Sequence, residues 1–158
     1  MSTYLLVKLA HVISACVLLG TGAGIAFFML LAHRSRDPAT FAAVSRMVVR
    51  ADWIFTAPAV VVQLGTGLWL TQALSVPWGS RWFLSVLGLF VFVGACWLPV
   101  LWIQHRLAAL PPAAYGSPPY RRLMRAWTGL GIPAFSAVLL ILYLMLSKSG
   151  MGEMWWYW

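Results

Sequence analysis

Four long stretches without Asp, Glu, Lys or Arg dominate the chain: residues 9–32, 53–80, 82–104 and 126–147, of 24, 28, 23 and 22 positions. Each exceeds the roughly 18–20 apolar residues that cross about 30 Å of hydrocarbon at about 1.5 Å rise per residue. Strict apolar–polar alternation is absent, which argues against barrel strands, since those read as shorter alternating segments. The pattern predicts an all-α, four-helix transmembrane bundle, a single membrane domain over residues 1–158 with helices near 4–32, 40–74, 81–109 and 121–147. The first stretch reads as a retained helix, because it is too long for a signal-peptide core and runs on through Ile25 to Leu31.

Breakers divide these stretches. Pro111 to Pro119 forms a loop, and Ser75 to Ser80, with Pro77 and Gly79, a short turn. Residues 39–50 lack Gly and Pro, so the second helix is expected to begin near Pro38 and extend beyond the hydrocarbon. Pro58, Pro99 and Pro133 fall inside spans, where neighbouring helices satisfy the freed carbonyls. Gly20-Thr-Gly-Ala-Gly24 and Gly65-Thr-Gly67 are expected to allow close helix contact. They are not phosphate loops, as no strand precedes them.

Composition agrees: 62% of the 158 residues are hydrophobic and 9% charged, against about 25% charged in soluble domains. A soluble enzyme, a disordered chain and a disulfide-stapled secreted module are thereby excluded. Of the 11 basic residues, eight (Arg34, Arg36, Arg46, Arg50, Arg106, Arg121, Arg122 and Arg125) fall in the 1–2 and 3–4 connections. By the positive-inside rule that side is cytoplasmic and both termini face outward. The net charge of +8 then reflects topology and attraction to anionic lipid rather than nucleic-acid binding.

Tryptophan follows the same division. Trp53, Trp102 and Trp127 form an inner set, and Trp78, Trp82, Trp155, Trp156 and Trp158 an outer one, as in interfacial belts. The terminal Trp155 to Trp158 segment is expected to lie along the outer surface. Cys16 and Cys96 fall at different depths and are not expected to bridge.

Ionisable groups in a span are costly and are therefore candidate functional groups. His11 is the deepest, and Tyr4, Lys8 and His11 share one helix face. A neutral imidazole there is either an axial ligand for haem or a histidine hydrogen-bonded to a neighbouring helix. Lys148, at the outer end of the last helix, is a second candidate, with a snorkelling anchor as the plain alternative. His33 and His105 could meet at the inner ends of helices one and three, but lack further metal ligands. Asp52, Thr56 and Gln63 are expected to share a face of helix two, with Gln63 as interhelical glue or a cofactor contact. Asp52 is expected to pair with Arg46 or Arg50. The absence of a chain of intramembrane carboxylates argues against a proton pump.

Two resemblances add to this. Tyr4-Leu-Leu-Val-Lys8-Leu-Ala-His11-Val-Ile, residues 51–58 (Ala51-Asp52-Trp53 through Pro58), Thr66-Gly67-Leu68, residues 97–104 (Trp97-Leu98-Pro99 through Gln104) and Tyr143-Leu144-Met145-Leu146-Ser147-Lys148 resemble a bacterial family of integral membrane proteins, domain of unknown function twenty-two sixty-nine. That resemblance implies a fold without an assigned activity. The first helix also resembles, more distantly, the HemJ-type protoporphyrinogen oxidases, four-helix membrane proteins that bind haem b and depend on a histidine in the first helix and a lysine in the last. His11 and Lys148 match those positions in kind. Where the HemJ pattern has Leu-Pro-Arg late in helix one, this chain has Ala26-Phe27-Phe28.

Together these readings give the functional expectation: a multi-pass protein of the bacterial inner membrane that binds haem b through His11. Lys148 would be the second ligand or a propionate partner, Lys8 and Arg81 further propionate partners, and Gln63 a contact. Its task would be electron transfer or oxidation of a membrane-accessible substrate, with a quinone, a porphyrin or an outer-side redox protein as partner besides the lipid bilayer. The alternative is a cofactor-free scaffold or assembly subunit. Homo-oligomerisation is compatible with both.

Overall fold

The computed structural model describes residues 2–147. Lys148 and the Trp155 to Trp158 segment, both singled out above, lie outside the described residues. Five α-helices account for nearly all of the rest: α1 (Thr3–Ser35), α2 (Pro38–Ala51), α3 (Ala57–Ala73), α4 (Arg81–Ala108) and α5 (Pro118–Ser147). A π-helical turn, Asp52–Thr56, joins α2 to α3 into one rod, Pro38–Ala73. This rod and α1, α4 and α5 are each long and apolar enough to cross a membrane, with 36, 33, 28 and 30 residues. No strand occurs among the described residues. Phe27, Phe28, Leu31, Val61, Leu98 and Leu146 are among the large apolar side chains left exposed, as suits a surface solvated by lipid.

Local chemistry sets the helix ends. Ser2 Oγ accepts from Leu5 N (3.4 Å) at the start of α1, and Arg36, in the left-handed region at φ 58°, ends that helix. Asp37 then caps α2, accepting from Ala39 N (3.2 Å) and Thr40 N (2.9 Å), with Pro38 in the first turn. The Thr40 hydroxyl also donates to it (2.5 Å). These bonds hold the Asp37 carboxyl below its ordinary pKa, the Thr40 side chain contributing most. Pro112–Ala114 forms a 3-10 turn before α5.

The π turn has an identifiable cause. Pro58 has no N–H to give to the carbonyl of Ile54, and its ring crowds that carbonyl. The preceding turn widens instead, and Ala57 N–H reaches back five residues to Asp52 O. One additional residue in the turn rotates everything beyond it by about 100° relative to a regular helix.

The helices run up and down, with α1 against α3 and α4 against α5 as the most extensive pairings, after which α2 meets α1 and α4. The core gathers at the arginine-rich end, where Met29, Ala32, Phe41, Val48, Val100, Ile103, Leu107, Tyr120, Met124 and Trp127 pack as one cluster. Toward the opposite end, which holds Thr3 and Ser147, α3 and α4 scarcely touch. Two contacts close that end. Val76 and Phe83 are buried in and beside the α3–α4 turn, where Trp78 meets Phe83 edge-on at 5.2 Å, and Trp82 Nε1 donates to Leu144 O (2.9 Å).

Most of the glycines expected to bring helices together do not. A Cβ at Gly20, Gly24 or Gly65 would meet nothing within 4 Å, and at Gly22 it would only just reach Phe135. Gly67 alone among these is tightly covered, by the ring of His11.

Candidate functional site

His11, on α1, projects across to α3. There Gln63 and Thr66 lie one turn apart and Gly67 provides an open place for the ring. Gln63 Nε2 lies 3.0 Å from His11 Nε2, and Thr66 Oγ1 lies 2.8 Å from His11 Nδ1. An amide nitrogen can only donate, so His11 Nε2 is the acceptor and the ring proton sits on Nδ1. Nδ1–H donates to Thr66 Oγ1, whose own hydroxyl donates to Val62 O (2.5 Å). Behind Gln63, the buried Ser14 hydroxyl faces both Gln63 Oε1 (2.5 Å) and His11 O (2.9 Å). It has a single proton for these two acceptors. The result is a neutral polar node between two membrane-crossing helices.

The other sequence candidates are separate from this node. Lys8 is exposed, its Nζ 5.8 Å from the centre of the Tyr4 ring. Arg81, also exposed, opens α4 just after the Ser80 cap, whose Oγ accepts from Phe83 N (3.3 Å). His33 and His105 do not meet. His33 Nδ1 and Tyr120 OH are hydrogen-bonded to each other (2.6 Å), while His105 Nδ1–H donates to Leu101 O (2.9 Å) and His105 Nε2 accepts from Trp53 Nε1 (3.3 Å). Cys16 and Cys96 are free thiols.

The expected stripe of Asp52, Thr56 and Gln63 is divided. The π turn sends Gln63 toward α1, whereas Asp52 and Thr56 face α4. Asp52 is not with Arg46 or Arg50, both of which are exposed; it is 2% exposed and accepts at Oδ1 from Trp97 Nε1 (3.3 Å). The side chains of Thr56 and Gln104 also turn toward this carboxyl. Asp52 Oδ2, Thr56 Oγ1 and Gln104 Oε1 are nevertheless buried without a hydrogen-bond partner. This second polar cluster was not foreseen, because its α4 members, Trp97 and Gln104, lie more than 40 residues from Asp52 and nothing local marks them as its partners. Ser14 and Thr66 were also missed; the signal for them was the i, i+3 repeat of polar residues in each span, His11/Ser14 and Gln63/Thr66.

The donor set bears directly on the expected haem. No group of three or more His, Cys, Asp or Glu side chains suited to a metal ion occurs among the described residues. Haem needs only one imidazole nitrogen from the chain. The Nδ1-protonated tautomer leaves the lone pair on Nε2, and the Thr66 contact is of the kind that orients metal-bound imidazoles. His11 therefore fits in chemistry, provided that the Gln63 amide gives up Nε2.

Fold and site together define a four-helix integral membrane protein with a neutral polar node between two of its spans. The chain belongs to the DUF2269 family of predicted integral membrane proteins, whose model matches residues 5–149. No curated protein and no solved structure matches it.

Proposed function

We propose that the His11–Gln63 node is the working site of a membrane redox protein and that His11 holds haem b there. The observation that carries this reading is the tautomer: a neutral ring with Nδ1–H anchored on Thr66 and the Nε2 lone pair facing only a neutral, rotatable amide. When bound, haem would supply one-electron chemistry to a membrane-accessible substrate such as a quinone or porphyrin. The chain's part is to bind and orient. Thr66 fixes the ring, Ser14 receives the displaced Gln63 amide, and Lys8 and Arg81 supply cations for the propionates at the same end of the bundle. Lys148 would be a second ligand or a further propionate partner. The arginine-rich end is assigned to the cytoplasm and the protein to the bacterial inner membrane, on the positive-inside rule. The distant HemJ resemblance of the first helix supports the same reading.

An absorption spectrum tests it. Purified in detergent and titrated with haem b, the protein is expected to develop a Soret band that His11→Ala abolishes and Gln63→Ala strengthens. The absence of a band after reconstitution overturns the proposal.

A second reading is favoured by one specific observation: both ring nitrogens of His11 are already matched within the chain and the ring closes over Gly67. On that reading the node is an interhelical clamp and the protein a cofactor-free scaffold or assembly subunit. A colourless protein that co-purifies in fixed stoichiometry with a larger membrane complex would support it.

A further inference from the structure

At the opposite end of the bundle, α1 stops and α5 begins around a cavity of about 330 Å³. Its walls carry the side chains of Arg34, Arg36, Arg121, His33, Tyr115 and Tyr120. We propose that this cavity is a binding site for the phosphate-bearing headgroup of an anionic membrane lipid, held by Arg34, Arg36 and Arg121.

The cavity is built rather than incidental. Tyr120 is 2% exposed and packs at a tilt against Tyr115 (4.6 Å between ring centres) and edge-on against Phe41 (5.0 Å), which fixes the floor. Tyr115 OH donates to His33 O (2.7 Å), and Tyr120 OH and His33 Nδ1 are hydrogen-bonded to each other (2.6 Å), so the last turn of α1 is tied to the start of α5. Arg36 and Gly116, at φ 58° and 75°, adopt the left-handed backbone in the connections on either side of the cavity. Arg121 is further positioned by its bond to Gly116 O.

Charge selects the ligand. The lining includes three arginines and no Asp or Glu. The nearby Asp37 is already engaged by Ala39 and Thr40 in capping α2. Planar guanidinium groups bind phosphate oxygens in pairs of parallel hydrogen bonds. Depth selects the source. The uncharged run of the first span ends at residue 32 and that of the last begins at residue 126, so Arg34, Arg36 and Arg121 stand just beyond the hydrocarbon, level with lipid phosphates. A soluble phosphate compound offers the same chemistry from the aqueous side.

The test uses the full chain in a non-ionic detergent, with phosphatidylglycerol, phosphatidylcholine and inorganic phosphate as separate probes. Thermal unfolding and native mass spectrometry are the readouts. Phosphatidylglycerol is expected to raise the unfolding temperature and to remain bound as one molecule, with phosphatidylcholine and millimolar phosphate having little effect. Combined Arg34→Gln, Arg36→Gln and Arg121→Gln should weaken the phosphatidylglycerol effect at least tenfold in midpoint concentration. Combined Arg46→Gln, Arg50→Gln and Arg106→Gln, an equal change of charge outside the cavity, should leave it within twofold. Equal loss in both triple variants, or equal binding of the two lipids, overturns the site. Protection by inorganic phosphate alone assigns it to a soluble ligand and overturns the lipid source. Should the cavity variant fail to fold, a photoactivatable phosphatidylglycerol on the wild-type chain decides: labelling is expected at residues 33–36 and 115–121, and labelling elsewhere overturns the proposal.

Discussion

The imidazole of His11 stands directly on Gly67: a methyl group at position 67 would come 3.2 Å from His11 Cε1. Both ring nitrogens are held, so the ring cannot retreat without losing a hydrogen bond. Gly67→Ala is therefore expected to destabilise the protein by about 1–2 kcal/mol. Gly65→Ala, two residues away and open to space, should be neutral or stabilising by up to about 1 kcal/mol through helix propensity. Thermal unfolding of the two variants in the same detergent makes the comparison.

A double-mutant cycle on His11→Ala and Gln63→Ala should return a favourable coupling of about 0.6–1.7 kcal/mol, the range for hydrogen bonds between membrane helices. Ser14→Ala and Thr66→Val are each expected to weaken that coupling, because one orients the amide and the other the ring. A coupling of zero would remove the node as a structural unit.

The Asp52 cluster gives a prediction with opposite signs. Asp52→Asn keeps an oxygen for Trp97 Nε1 and removes a buried carboxylate with an unpartnered oxygen, so stability should hold or rise. Trp97→Phe leaves the carboxyl without its donor and should cost about 1–3 kcal/mol. Their combination should recover much of that loss, since a neutral carboxamide tolerates an apolar neighbour better than a carboxylate does. Equilibrium unfolding of the four proteins in the cycle measures this.

Asp37 supplies the pH dependence. Its pKa in the folded protein lies below the ordinary value of 3.8, because Thr40 and Ala39 hydrogen-bond the ionised form. The stabilisation is present above the unfolded value and is lost as pH falls through the lower folded one. The unfolding temperature should therefore drop, as pH falls below about 4, by more in the wild type than in Asp37→Ala, whose cap is absent at every pH. Identical pH profiles would contradict this.

The spans were legible because crossing a bilayer demands an uninterrupted apolar run, and that requirement is written in consecutive residues. Pro38 and Pro111 marked boundaries for a similarly local reason, whereas α5 begins at Pro118, inside the stretch expected to be loop. Facing was less legible. The angle expected between Asp52 and Gln63 holds only on a regular helix, and the single residue added ahead of Pro58 moved them to different neighbours. His11 was identifiable as a rare intramembrane imidazole, and Gln63 as a deep amide, but nothing local stated that they meet. Their contact depends on the pairing of α1 with α3 and on the absence of a side chain at Gly67. The Asp52–Trp97 bond, likewise, joins residues 45 positions apart.

The position of the core has a consequence for what holds the bundle together. A rod of 36 residues is about 54 Å long, well beyond about 30 Å of hydrocarbon, so several turns of α2 stand in the headgroup layer or in water. Phe41, Leu107 and Tyr120, all nearly inaccessible, pack there, beside the arginines that mark the boundary. In lipid, apolar side chains gain nothing by leaving the solvent, whereas in water they do. The fold thus draws its solvent-driven cohesion from outside the bilayer, like a collar on four rods. Within the bilayer, van der Waals contact and a few hydrogen bonds are left to fix how the rods face one another.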